Sequence, residues 1–147
     1  MNKLIVMVGL PRSGKSTWAK KHGAPMVNPD SIRLALHGQR FIRLAEPFVW
    51  AISGVMVRAL FLAGHRTVIV DGCHVKRKYR DQWQHDAGGW QTWFKVMRTD
   101  VQTCLYRAEQ EKDQEIMPII DKMNEEIEPI QTDELELDPI PGSRVGG

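Results

Sequence analysis

The stretch Gly9-Leu10-Pro11-Arg12-Ser13-Gly14-Lys15-Ser16, followed by Thr17, has the residue types and spacing needed to hold a polyphosphate. Glycines let backbone N–H groups turn inward around phosphate oxygens, a lysine reaches the β and γ phosphates, and a serine hydroxyl can ligate Mg²⁺. Gly9, Pro11, Arg12, Ser13, Gly14, Lys15, Ser16 and Thr17 are therefore the expected nucleotide contacts, with Ser16 on the metal and Thr17 near the α phosphate. A second stretch, Asn28-Pro29-Asp30-Ser31-Ile32-Arg33, places a carboxylate and a guanidinium about one helical turn apart on one side, so that both can face a cleft. A third, Thr67-Val68-Ile69-Val70-Asp71, ends an apolar, β-branched run in a carboxylate, the Walker B pattern in which the acid holds Mg²⁺ directly or through water. His74, in the loop that follows, is a candidate substrate contact. These groups suit transfer of the γ-phosphoryl of ATP or GTP to a hydroxyl, which asks mainly for alignment and charge neutralisation.

Elements must position these groups, and the pattern supplies them in alternation. Residues 3–8 read as a buried strand and 15–21 as a helix, which is the setting a phosphate-binding turn requires. Met26-Val27 reads as a short strand delivering a short helix capped by Asp30 or Ser31, and residues 36–43 read as a connecting loop. Residues 47–63 form a long helix, with Val49, Ile52, Val55, Met56, Ala59, Leu60 and Ala63 on its expected buried face. Lys76, Arg77, Lys78 and Arg80 open a further helix and suit either an anionic partner or a solvated face. Gly88-Gly89 reads as a turn, 90–97 as a strand, and Asp100 as the cap of a helix that carries Arg107. Met117-Pro118 opens a last helix in which Ile119, Ile120, Met123 and Ile127 are spaced for burial. Strands alternating with helices predict an α/β fold, a P-loop NTPase-type parallel sheet sandwiched between helices, nucleoside-kinase-like with a helical lid bearing Arg107.

The chain has 147 residues and 42% hydrophobic content, ordinary for one domain. Residues 1–130 are the expected domain, and the acidic, Pro- and Gly-rich stretch 131–147 an extended or mobile tail. No apolar run approaches the roughly 20 residues of a membrane span, and the N-terminus enters a strand without a leader pattern, so the expected location is cytoplasmic with no membrane partner. Cys73 and Cys104 have neither CxxC nor zinc-ligand spacing and read as reduced. Charge is asymmetric. Residues 1–110 carry 17 Lys and Arg against 7 acids, a balance of +10, and residues 111–147 a balance of −8. The basic part suits a polyanionic substrate or simply a solvated surface.

With Gly9 to Thr17, the Asp-x-x-Arg of Asp30 and Arg33, the strand ending in Asp71, the helix carrying Arg107 and the stretch Met117-Pro118-Ile119-Ile120, the chain resembles the kinase domain of the bacteriophage polynucleotide kinase family over most of residues 1–128. The resemblance implies that Asp30 is the general base for a 5′-hydroxyl of DNA or RNA, that Arg33 contacts the acceptor, and that Arg107 serves in the lid. It further implies a nucleoside triphosphate, Mg²⁺ and a nucleic acid 5′ end as partners. Two positions depart from that family: Glu111 stands where a second lid arginine is usual, and Gly72-Cys73-His74 where a Thr or Asn follows the strand-end aspartate. No Asp-x-Asp-Gly-Thr type motif is present, so no 3′-phosphatase activity is expected. Two other functions remain compatible with these residues: a kinase for a small-molecule hydroxyl, on a nucleoside, nucleotide or sugar derivative, and an ATP-binding module without transfer activity.

Overall fold

A computed structural model of the chain describes residues 1–85 and 89–139. In chain order the elements are β1 (Asn2–Val8), α1 (Lys15–His22), β2 (Met26–Val27), α2 (Pro29–His37), a 3-10 turn (Arg43–Ala45), α3 (Glu46–Leu62), β3 (Thr67–Val70), α4 (Arg77–His85), β4 (Trp90–Val96), α5 (Val101–Gln110) and α6 (Ile116–Glu126). The four strands pair in parallel in the order β2-β3-β1-β4. β1 is central, with Leu4 opposite Val68 on one side and Thr92 on the other. Because helices cover both faces of the sheet, Leu4 to Val8 have no solvent-facing side, and the strand is apolar without alternation. Leu4, Val6 and Val8 pack with Val27, Ile32, Val49, Val57 and Trp83, whereas Ile5 and Met7 pack on the other face with Ala19. A third cluster, Leu10, Cys104, Ala108 and Ile120, joins α5 and α6 to the phosphate-binding turn.

Three expectations are corrected by this packing. The cap of α2 is Asn28, whose Oδ1 accepts the N–H groups of Asp30 and Ser31, so Asp30 keeps its carboxylate free of capping and Pro29 takes the first helical position. Val49, Ile52 and Leu60 of the expected stripe of α3 pack into the core, where Ser53, Gly54 and Val57 join them, whereas Val55, Met56, Ala59 and Ala63 are exposed. Small residues let this helix sit close to the sheet, and the Ser53 hydroxyl satisfies itself on the Val49 carbonyl at 2.8 Å. The continuous helical stretch Arg43–Leu62 also meets the length and composition of a membrane span, with a mean hydropathy of 1.4, contrary to the sequence expectation.

The acidic C-terminal stretch is docked as far as it is described. Leu137 N–H donates to the Phe94 carbonyl and Phe94 N–H to the Leu135 carbonyl, so residues 135–137 run along the open edge of β4. Residues 140–147 and Gly88 of the expected Gly88-Gly89 turn lie outside the described residues. Acids and bases of the two parts pair in the fold: Asp133 with Arg77, Glu134 with Arg80 and Glu136 with Arg98 from the docked stretch, and, from the chain before it, Glu111 and Asp113 with Arg12, Asp113 with Arg40 and Glu126 with Lys76. Lys76, Arg77 and Arg80, which the sequence leaves open to an anionic partner or a solvated face, therefore face the chain's own carboxylates.

Candidate phosphoryl-transfer site

Gly14, in the left-handed region at φ 98°, caps α1 without any side-chain bond, and the first turn of α1 holds no acidic residue. The N–H groups at this helix end and the positive end of its dipole are thereby left for an anion. The turn is held tight around Gly9, where a Cβ would lie 2.8 Å from Ser13 Oγ and 3.0 Å from the Met97 carbonyl. A cleft of about 680 Å³, lined by Arg12, Ser13, Gly14, Lys15, Ser16 and Thr17 and closed by Trp18, Lys21, Met97, Thr99, Arg107 and Glu111, is large enough for a nucleoside triphosphate. Gly9 and Pro11 shape this turn without lining the cleft. The ammonium of Lys15 bends back to the Leu10 carbonyl at 2.6 Å, and Arg107 Nη1 donates to the Arg12 carbonyl at 3.0 Å.

The remaining candidate groups are tied to that turn by a chain of hydrogen bonds. Ser16 Oγ donates to Asp71 Oδ2 at 2.7 Å, Asn28 Nδ2 approaches the same oxygen at 3.4 Å, and Asn28 Oδ1 accepts from the first turn of α2, where Asp30 sits. Burial pushes the Cys73 thiol up. Asp30 is 76% exposed at its side chain and receives Arg33 Nη1 at 2.6 Å. Arg33 is in turn clamped from behind: its Nε and Nη2 donate to both oxygens of Glu46 at 2.9 and 2.7 Å, and its guanidinium lies 5.7 Å from the Trp50 ring. Asn28 and Glu46 are the two residues missed by sequence reading. Asn28 was legible as an Asn-Pro helix start, whereas Glu46 sits 13 residues from Arg33 with no local signal. Removing the clamp with Glu46→Ala frees Arg33 to leave Asp30, and a loss of about tenfold in transfer rate with unchanged nucleotide affinity is expected from so modest a misplacement. Single-turnover assays beside nucleotide titration check it, and an unaltered rate would refute the positioning.

His74 is a correction. It is buried, its Nδ1–H donates to the Met7 carbonyl at 2.8 Å, and its Nε2 accepts from Trp83 Nε1 at 3.0 Å, so both nitrogens are committed inside the core and none faces the cleft. Burial holds its pKa at about 4. Below pH 6.5 the unfolded chain binds a proton that the folded chain refuses until about pH 4, so stability is lost as pH falls through that window. The loss is on the order of 3 kcal/mol. Denaturant titrations across the window should show this slope, and His74→Asn, suited to the left-handed φ of 45° at this position, should remove most of it.

Oxygen donors of Ser16 and Asp71, 2.7 Å apart at the mouth of a phosphate cradle, fit a hard divalent cation that arrives with the nucleotide. Among the described residues no group of three or more His, Cys, Asp or Glu gathers elsewhere to hold a metal.

A family model described as "AAA domain" matches residues 4–127. No curated protein matches the sequence. The fold is similar to a gluconokinase from Sinorhizobium meliloti at 23% identity and a TM-score of 0.59, covering 92% of this chain and 81% of that one. It is similar to a sugar kinase from Janibacter at 18% identity and a TM-score of 0.71, covering 93% and 84%. It also matches a chain of the Pnkp1/Rnl/Hen1 RNA repair complex at 23% identity and a TM-score of 0.61, covering 86% of this chain but only 46% of that one.

Proposed function

The chain belongs to the AAA-domain family, and from that premise we propose that it is a phosphotransferase carrying the γ-phosphoryl of ATP or GTP to the 5′-hydroxyl of DNA or RNA. The observation that supports this reading is the hydrogen-bonded path from Ser16 through Asp71 and Asn28 to the first turn of α2, which carries the exposed Asp30. In the proposed reaction Lys15 leaves the Leu10 carbonyl for the β and γ phosphates, and Gly14, Ser16 and Thr17 hold the chain of phosphates with their N–H groups. Ser16 and Asp71 would hold Mg²⁺, which supplies charge neutralisation at the β and γ oxygens when bound. Asp30 accepts the hydroxyl proton, Arg33 orients Asp30 and offers its two remaining N–H groups to the acceptor, and Arg107 closes over the transferring group. The resemblance to phage polynucleotide kinases supports the acceptor class, as does the 76% exposure of Asp30, which leaves room for a polymer.

The rival reading is a small-molecule kinase. The internal pairing of Arg12, Arg40 and Arg77 favours it, because those cations are not available to a nucleic acid backbone, and so does the likeness to a gluconokinase and a sugar kinase. The deciding experiment is transfer of labelled γ-phosphate, with Mg²⁺, to a 5′-hydroxyl oligonucleotide beside nucleosides, nucleoside monophosphates and sugar acids. Label on the oligonucleotide that weakens with added salt supports the first reading. Label confined to a small acceptor replaces it with the second.

A further inference from the structure

The helical stretch running from the 3-10 turn through α3 has two apolar faces, and only one is inside. Outside lie Leu44, Phe48, Ala51, Val55, Ala59 and Leu62, spaced by three and four residues over 20 residues. Leu44 is 88% exposed, Phe48 67%, Val55 61% and Leu62 89%, so nothing among the described residues covers this stripe. We propose that it is the seat of a second copy of this chain, docked with the two α3 helices antiparallel about a two-fold axis near Ser53.

The stripe is self-complementary in that arrangement. Leu44 meets the partner's Leu62, Ala51 meets the partner's Val55, and Phe48 lies against the step Arg58–Ala59 of the partner, so the seam is apolar along its length with Arg58 at its margin. Charge agrees with shape. The last turn of α3 carries no basic residue of its own to offset the negative end of its dipole. Antiparallel docking brings Arg43, exposed at the opposite end, to the C-terminal turn of the partner's helix. A parallel arrangement would gather both copies of Arg43 at one end. A helix of about 30 Å laid on its mate buries on the order of 600 Å² per protomer, below the roughly 800 Å² of a standard interface, which places the dimer among concentration-dependent ones. This inference is independent of the acceptor and of the transfer reaction.

Sedimentation velocity of the full chain over about 1–200 µM, the range in which such interfaces dissociate, tests it. The wild-type chain is expected to shift from monomer to dimer, and Ala51→Glu and Val55→Lys, each on the exposed face, are expected to weaken dimerisation at least tenfold while keeping the far-ultraviolet dichroism of the parent. The double variant Ala51→Glu, Val55→Lys is expected to recover dimer, since each new acid then faces the partner's new base. A wild-type chain that stays monomeric throughout, or that is monomeric and co-sediments with phosphatidylcholine vesicles, overturns the proposal. A double variant no better than the singles overturns the antiparallel register.

Discussion

Asp30→Asn is expected to lower the rate of phosphoryl transfer by about 10²–10⁴-fold while nucleotide affinity stays within about threefold, the pattern of a group that acts on the acceptor proton and leaves the nucleotide alone. Asparagine preserves the shape at this position and can still meet the Arg33 guanidinium through its carbonyl oxygen, so the helix start at Asn28 and the Arg33–Glu46 clamp survive the change. What is lost is a second anionic oxygen able to orient and then accept the hydroxyl proton. In a loose transition state that transfer is late, and the loss reads out mainly as orientation and as a stranded proton on the product oxygen. Single-turnover transfer, measured beside nucleotide binding by titration, separates the two quantities. A variant within threefold of the wild-type rate would remove Asp30 from the chemistry, whichever acceptor the enzyme uses.

Much of this arrangement is legible in the sequence, and the parts that are not share a physical reason. The glycine turn, the strand-end Asp71 and the placing of Asp30 and Arg33 one turn apart on one side of α2 depend on short spacings within single elements, where periodicity and turn chemistry act directly. The parallel sheet follows from strands and helices in alternation. His74 was misread because a histidine in a polar loop beside a carboxylate looks accessible. Its burial depends on Trp83, nine residues away on α4, and on the Met7 carbonyl of a strand far earlier in the chain. Glu46 escaped notice for the same reason, since its partner lies across a loop. On α3 the larger apolar side chains give Val49, Ile52 and Leu60 of the inner face, but Ser53 and Gly54, which no apolar periodicity marks, are buried beside them.

The charge pattern was the least legible feature, and it changes how the site is understood. Summed over halves of the chain, the sequence offers a strongly basic part and an acidic one, which invites a polyanionic partner. In the fold the two parts neutralise each other across the same molecule, and Arg12, within the phosphate-binding turn itself, is held by Glu111 and Asp113. The other cations that line the cleft are Lys15, Lys21 and Arg107. Cationic charge in the cleft is thus concentrated around the turn Gly9–Ser16, and in the proposed reaction the acceptor is left to Asp30, Arg33 and the groups that hold them.

Glu134→Ala is expected to destabilise the fold by about 3–5 kcal/mol, the cost of stranding a buried charge, and to lower the melting temperature by roughly 10–15 °C for a chain of this size. Arg80 and Glu134 are both wholly buried, joined through Nε at 2.7 Å and Nη2 at 3.2 Å. Arg80 also donates to the carbonyls of His74, Val75, Glu128 and Pro129, so one guanidinium ties together the loop after Asp71, the chain leaving α6 and the C-terminal stretch. Without the carboxylate, its charge remains in the interior with neutral acceptors only. Glu134→Gln should fall between, because it keeps a hydrogen bond and loses the charge, and the pair Arg80→Met, Glu134→Leu should recover part of the loss by removing both buried charges. Thermal unfolding followed by dichroism orders the variants. A melting temperature for Glu134→Ala within about 2 °C of the parent, no more than the shift that about 1 kcal/mol produces, would show that the acidic stretch is an appendage and the pair does not bind it to the core.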